Sequence, residues 1–389
     1  MTINLFGFFV NIYEIPTIIV LFLIILTDFC FNGTKILIQM RKSYNAYFIF
    51  ISLFICSILL SSISAVEMSL ILKSFFKWIE IFIISIIVFL FVRSSIRFKF
   101  IYWLIFISTF SSIIFVIIKI IIGDYYVFDY RIFPSYDSLF SFALIIPFLN
   151  SVNKKMAIFF STFFLISAIL SQSRGVLIGI IILSVYFYRY YKDKSIIKII
   201  TYALLISVIA IFYFEPIKQL IIYRIAEIKD LNNISNVERI SMIKYSLLGF
   251  SNSPIWGIGA LNFPHFILQE GFTQGIVAKD ITILEPHNFF LQTLTEEGII
   301  GFTFILLFFL NIFIILYKNN LVLSSNRSNP NLYLLGLRFL FVAITINLIL
   351  GFIANQFRFN FALFLGLILS FTRLNSDEPY KEKNRIVRL

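Results

Sequence analysis

Apolar runs long enough to cross a bilayer recur along this chain, and no other feature narrows its possible folds so far. About 20 consecutive apolar residues span the hydrocarbon as a helix. Lipid allows little else, because each spanning segment must satisfy its own backbone polar groups. Candidate spans are Ile15–Phe31, Tyr44–Ser64, Phe76–Val92, Phe100–Ile122, Ser138–Leu149, Met156–Leu170, Gly175–Tyr190, Ile196–Phe214, Gly298–Tyr317, Tyr333–Ala354 and Phe359–Phe371. The expected fold is all-α, a polytopic integral membrane protein with about 11 transmembrane helices and a range of about 10 to 12. Met1–Tyr13 is apolar enough to add a short helix to that count. Composition agrees. Only 13% of residues are charged and 60% are hydrophobic, where a soluble domain is about one-quarter charged.

The net charge of +12 raises the question of nucleic acid, but the cations sit mainly in short connections and at the C-terminal end, the footprint of membrane topology. One set of alternate loops holds Lys35, Arg41, Lys42, Arg93, Arg97, Lys99, Lys154, Lys155, Arg189, Lys192, Lys194, Lys198, Lys318 and Arg327, with the tail. The other set has only Lys73, Lys77, Arg131, Arg174 and Arg358. The richer set is expected to face the cytoplasm. The architecture is then a single transmembrane domain over 1–375, with an outer segment over 215–286, and a cytoplasmic tail over 376–389. At roughly seventy residues the outer segment is too long for a plain connection and favours function. Its stretch Arg239–Phe250 is amphipathic and suits a short interfacial helix. No basic n-region or cleavage site opens the chain, so the first helix is expected to remain as an anchor. Cys30 and Cys56 lie in or beside apolar runs, without metal-ligand spacing and with no expected disulfide.

Polar residues that carry chemistry cluster on the outer side. His287, one of two histidines, follows Pro286, a residue suited to a helix's first turn. That position lies near unsatisfied N–H groups and the positive dipole end, which keeps an imidazole neutral and attracts an anionic phosphate. A hydrogen-bonding interface histidine with no catalytic part is the alternative. Arg174, in Ser171-Gln172-Ser173-Arg174-Gly175, needs a partner or a path to the interface; a phosphate and simple snorkelling both answer. Arg239 and Arg131 are outer cations that solvent alone explains equally well. Leu291, Leu294 and Gly298 recur at helical spacing as an inward face, and Gly298 and Gly301 suit close helix approach. Gly257 and Gly259, after Pro254, suit a tight loop. Phosphate-loop, zinc-protease and nucleophile-elbow motifs are absent from the sequence.

Four stretches together resemble the bacterial O-antigen ligase and O-antigen polymerase (Wzy-type) superfamily. His287-Asn288-Phe-Phe-Leu291-Gln292-Thr-Leu294-Thr-Glu296-Glu-Gly298-Ile-Ile-Gly301 matches every fixed position of a His-Asn-x-x-Leu-Gln-x-Leu-x-Glu-x-Gly-x-x-Gly signature. Ser173-Arg174-Gly175 is similar to its Ser-Arg-Gly. Arg239 with Pro254-Ile-Trp-Gly257-Ile-Gly259 and Asn262-Phe263 is similar to its Arg…Pro-x-x-Gly-x-Gly…Asn-Phe loop. Arg131-Ile-Phe-Pro134-Ser135 follows a looser Arg…Pro-Asn pattern, with Ser135 where Asn is usual.

The resemblance implies a membrane glycan transferase of the bacterial inner membrane, with its site on the outer face. The implied donor is a glycan on undecaprenyl pyrophosphate, and the implied acceptor is lipid A–core or a growing glycan. It implies His287 as base, Arg174, Arg239 and Arg131 as pyrophosphate ligands, and Asn288 and Glu296 as supporting residues. No metal, cofactor or nucleic acid is expected; polysaccharide assembly proteins are possible partners. A lipid-linked oligosaccharide flippase and a non-catalytic member of an assembly complex stay open as alternatives.

Overall fold

A computed structural model describes residues 2–5, 8–11, 45–122, 135–144, 154–170, 234–273, 286, 288–323, 330–350 and 360–371, with isolated positions between 176 and 213. The Ile15–Phe31 span, most of Gly175–Tyr190 and Ile196–Phe214, and the tail lie outside the described residues. Apart from one N-terminal hairpin, what is described is helical. The elements are β1 (Thr2–Leu5), β2 (Phe8–Asn11), α1 (Asn45–Leu60), α2 (Met68–Phe91), α3 (Ser95–Ile122), α4 (Ser135–Leu144) and α5 (Lys154–Leu170). After these come α6 (Ile234–Asn252), α7 (Phe263–Thr273), α8 (Phe289–Leu323), α9 (Pro330–Leu350) and α10 (Asn360–Phe371). Ala46–Ser64, Met68–Phe91 and Phe289–Leu316 are the three described helical stretches long and apolar enough to cross a membrane.

Several expectations are corrected. Within Met1–Tyr13 the described residues form strands and not a helix: β1 and β2 pair antiparallel with Thr2 opposite Asn11 and Leu5 opposite Phe8, a pairing that Ile3, Phe8, Phe9 and Val10 favour as β-branched and aromatic residues. Lys73 and Lys77 are not loop residues. They lie on the first turns of α2, whose connection to α1 shrinks to Ala65–Glu67 after the 3₁₀ turn Ser61–Ser64. Long basic stems can run along a helix end and keep their ammonium groups wet. The helix expected from Gly298 begins at Phe289 instead, and Gly298 is a break inside it.

α1 lies between α2 and α8. The Tyr47 ring sits 5.3 Å from Phe308 of α8, and its hydroxyl is 3.1 Å from Ser85 Oγ of α2. Trp78 of α2 meets Phe54 edge-on at 4.8 Å and Phe289 at 6.2 Å. These aromatics fill space that lipid would not fill as tightly, and association inside a bilayer depends on such packing. A second group joins α3, α4, α5 and α9: Tyr102 donates to the Leu144 carbonyl at 2.8 Å, and Ser141 donates to Thr109 Oγ1 at 2.8 Å. Arg338 of α9 holds the Leu316 carbonyl of α8 at 2.7 Å through Nη2. α6 buries Met242, Tyr245, Ser246 and Gly249 on one row and exposes Val237, Ile240, Ile243 and Leu247 on the other. The stretch Arg239–Phe250 is thus helical, with apolar residues on both rows rather than the apolar and polar faces expected. Cys56 is free and exposed.

Gly336 of α9 sits directly over the Tyr102 hydroxyl, where a Cβ would overlap it. Gly336→Ala is therefore expected to destabilise by about 1–3 kcal/mol through overpacking. Tyr102→Phe removes the obstructing atom, so the double variant should lose less than the sum of the two single changes. Thermal unfolding in detergent checks this; additive losses would mean the two groups do not collide.

Candidate functional site

The His-Asn signature and the glycine loop, far apart in sequence, meet at a break in α8. Gly298 adopts φ 67° and ψ −168°, which ends one helix and starts another. A helix end leaves carbonyls without intrahelical donors. Here the loop after α6 supplies them: Ile258 N–H donates to the Thr295 carbonyl at 3.0 Å and Gly259 N–H to the Glu296 carbonyl at 2.9 Å. In return Ile299 N–H, at the start of the second half, donates to the Pro254 carbonyl at 2.9 Å. The contact is too close for side chains. A Cβ on Gly257 would overlap the Glu296 carbonyl, and one on Gly298 would overlap the Ile255 carbonyl. Both glycines also have positive φ, 75° and 67°, a region costly for residues with a Cβ.

The side of this loop away from α8 rests on the end of α1. Ala260 N–H donates to Ser61 Oγ at 3.1 Å, and Ser64 donates its hydroxyl to the Gly257 carbonyl. Asn262, fully buried, accepts from Glu67 N–H at 2.8 Å and donates to the Glu67 carbonyl at 3.2 Å. Its amide thus replaces a strand partner for one residue. Gly301 lies against α1 as the sequence suggested: a Cβ there would meet Ser57 Oγ and the Glu297 side chain.

Asn288 caps α8. Its Oδ1 accepts from Leu291 N–H at 2.9 Å, and its carbonyl accepts from Gln292 N–H at 2.9 Å, the N-cap arrangement that short polar side chains favour. Pro286 is buried two residues before that cap and not in the helix's first turn as expected. Glu296 is only 4% exposed. It accepts from Phe263 N–H and from Gln292 Nε2, each at 3.3 Å, so its carboxylate sits at the start of α7, where the helix dipole favours a negative charge. Its role here is to join α7 to α8. The buried residues at the start of α8 are Phe289, Thr293, Thr295, Glu296 and Glu297, rather than Leu291 and Leu294, which are half-exposed. Polar residues face inward because α6, α7 and the loop present backbone groups to them. Thr295, for example, bonds the Ser246 carbonyl of α6 at 3.0 Å.

Arg239 is half-buried and lies on the α6 row that continues through Met242, Ser246 and Gly249 toward α8. It stands about two turns, or roughly 10 Å, before Ser246 along that helix. His287, Arg174 and Arg131 lie outside the described residues. Next to this row Tyr245 packs into a small core of Met242, Ile258, Phe263, Phe266 and Ile267. Burial pushes its phenol up from the usual tyrosine value. No group of three or more His, Cys, Asp or Glu side chains able to hold a metal occurs among the described residues. Sequence reading missed Glu67 and His265, whose side chains meet at 3.1 Å beside Asn262, Nε2 to Oε2. The available signal was that His265 is the chain's other histidine, two residues past the Asn-Phe pair.

Gly257→Ala and Gly298→Ala are each expected to cost about 1–3 kcal/mol from backbone strain alone, with overlap adding to it. Because both disrupt the same junction, the double variant should fall well short of additivity. Thermal midpoints and protease cleavage within 253–262 are the readouts, and a wild-type cleavage pattern in Gly298→Ala would contradict the junction.

No curated protein matches the chain. Residues 158–306 match a family described as O-antigen ligase, a segment that runs from α5 through the glycine loop and the break in α8. That match supports placing the chain in the superfamily of O-antigen ligases and polymerases.

Proposed function

We propose that this protein is a membrane glycan transferase of surface polysaccharide synthesis that uses a glycan linked to undecaprenyl pyrophosphate. One observation carries the reading. The O-antigen ligase match covers the segment in which the His-Asn signature and the Pro-x-x-Gly-x-Gly loop bind each other's backbone. An arrangement that fixes Asn288 and the Arg239 row against one helix is what a site built from distant residues requires. Positioning to within a fraction of an ångström needs such rigid support.

In the proposed step an acceptor hydroxyl attacks the anomeric carbon of the donor sugar. The bond from that carbon to the pyrophosphate oxygen breaks, and undecaprenyl pyrophosphate leaves with the electron pair. The hydroxyl proton passes to the His287 imidazole. Arg174 and Arg239, with Arg131, hold the pyrophosphate and offset the charge that grows on it, and guanidinium suits this through paired hydrogen bonds. The glycosyl–pyrophosphate bond already stores the free energy, so neither nucleotide nor metal takes part. Single displacement inverts the anomeric centre. The site faces the outer side of the inner membrane, and lipid A–core or a growing glycan is the acceptor.

A lipid-linked oligosaccharide flippase is the second reading, and the discontinuous α8 favours it, since transporters place broken helices at their substrate sites. Such transporters break a pair of helices in related halves. α8 is the one helix interrupted in this way among the described residues.

Purified protein, a lipid-linked donor and an acceptor glycan separate these readings. His287→Ala is expected to lower transfer by about 10²–10⁴-fold, the usual worth of a general base. Arg239→Ala should lower kcat/KM by about 10- to 100-fold, as for a lost charge-assisted hydrogen bond. Transfer at the wild-type rate in folded His287→Ala refutes the base. Loss of transfer in EDTA refutes the metal-free step. Movement of donor across vesicles with no new glycosidic bond selects the flippase.

A further inference from the structure

Outside the proposed site, three side chains converge where α7 meets the start of α2. Glu67 occupies the N-cap position of α2, yet its carboxylate makes no capping hydrogen bond to the helix backbone. Oε2 instead lies 3.1 Å from His265 Nε2, and Oε1 accepts from the Ser69 hydroxyl at 2.5 Å. Both carboxylate oxygens are thereby engaged. With Nε2–H turned to Glu67, the tautomer of a neutral His265 is set and Nδ1 is left as an acceptor; that nitrogen has no partner among the described residues. The pair is open to solvent, with exposures of 44% and 45%.

The bland account is a strut that pins α7 to α2. Magnitudes argue against it. An exposed ion pair contributes about 0–1 kcal/mol, whereas the same junction is already held by the buried Asn262 amide, by Ser61 and by the Glu296 carboxylate. A further weak tie adds little there. What the Glu67 contact does accomplish is to fix the direction of an imidazole that solvent would otherwise let rotate. A carboxylate that orients a histidine through one nitrogen, leaving the other outward, is how proteins present an imidazole to a ligand.

We propose that His265, oriented by Glu67, is a recognition point for the acceptor glycan, its Nδ1 accepting a hydrogen bond from a sugar hydroxyl. This rests on the glycan-transfer reading. His265 lies two residues beyond Phe263, whose N–H touches Glu296, and Glu296 lies eight residues along α8 from Asn288, about 12 Å of helix. A glycan of a few sugars spans that interval, so an acceptor gripped at His265 reaches the neighbourhood of Asn288.

The test is steady-state transfer by the full-length protein in detergent or vesicles, with acceptor and donor varied in turn. His265→Ala and His265→Phe are expected to raise the acceptor KM about fivefold to tenfold, the loss of one hydrogen bond. The donor KM and the thermal midpoint should stay near wild type. Glu67→Gln, which loosens the ring without removing it, should give a smaller rise in the same parameter. Asn262→Ala serves as the structural control and should lower the midpoint. An unchanged acceptor KM in both His265 variants overturns the role, as does a joint loss of kcat and thermal midpoint, which marks a strut. If wild-type protein transfers no glycan, this inference falls together with the transferase reading; if it transfers and the acceptor KM does not move, this inference alone falls.

Discussion

A helix that stops inside a protein leaves carbonyl oxygens without intrahelical donors, and each buried one left unsatisfied costs about 1–3 kcal/mol. The rest of this structure depends on how α8 meets that cost at Gly298. The loop from Pro254 to Gly259 inserts its N–H groups where the next helical turn would have been. Main chain binds main chain, so the junction has no side-chain slack. Any residue larger than glycine at 257 or 298 would occupy space already filled by a carbonyl. This explains why two glycine-containing stretches some forty residues apart belong to one device, roughly a turn's worth of hydrogen bonds exchanged between helix and loop.

From that junction the outer elements are placed by short steps. Thr295, just before the break, bonds α6 through the Ser246 carbonyl. Glu296, the next residue, receives the first N–H of α7. Ala260 and Asn262, just past the loop's glycines, bond Ser61 and Glu67 between α1 and α2. α6 and α7 are thus tied to the membrane bundle at separate points and cannot swing as a free flap over the described surface. Rigid placement of this kind suits a site whose residues come from distant parts of the chain, because an error of about 1 Å in position can cost 10²-fold in rate.

Much of the bundle was legible from hydropathy. Tyr44–Ser64 brackets α1 with its 3₁₀ turn, and Phe100–Ile122 lies within α3, because a run of Ile, Leu and Phe of that length has one stable state in lipid. Arg239–Phe250 lies inside α6. What escaped was whatever depends on backbone atoms or on distant partners. The break at Gly298 is invisible because glycine is also a common helix-contact residue, and hydropathy continues unchanged across it. α7 is short and owes its start to Glu296. Glu67 meets Asn262 at a separation of 195 residues, and no local pattern encodes that meeting. The hairpin at Thr2–Asn11 was hidden because its residues are apolar enough to pass for a helix when length alone is weighed.

The same reasoning bears on the carboxylates of the signature. Glu296 and Glu297 are adjacent and both buried, 4% and 5% exposed. Two acids side by side in an apolar setting destabilise a fold unless each has a reason to be there. Glu296 has one, since the start of α7 and the Gln292 amide donate to it. Glu297 differs: its Oε2 is buried without a hydrogen-bond partner among the described residues, pressed against Gly301 and close to Ser57 of α1. Replacing Gly301 by anything larger would therefore collide with a carboxyl group as well as with a helix. The spacing Glu296–Gly298–Gly301 reads accordingly as one structural sentence: an acid that starts α7, a glycine that breaks α8, and a glycine that admits both Glu297 and α1. Three fixed positions of the signature, Glu296, Gly298 and Gly301, are thus explained by architecture.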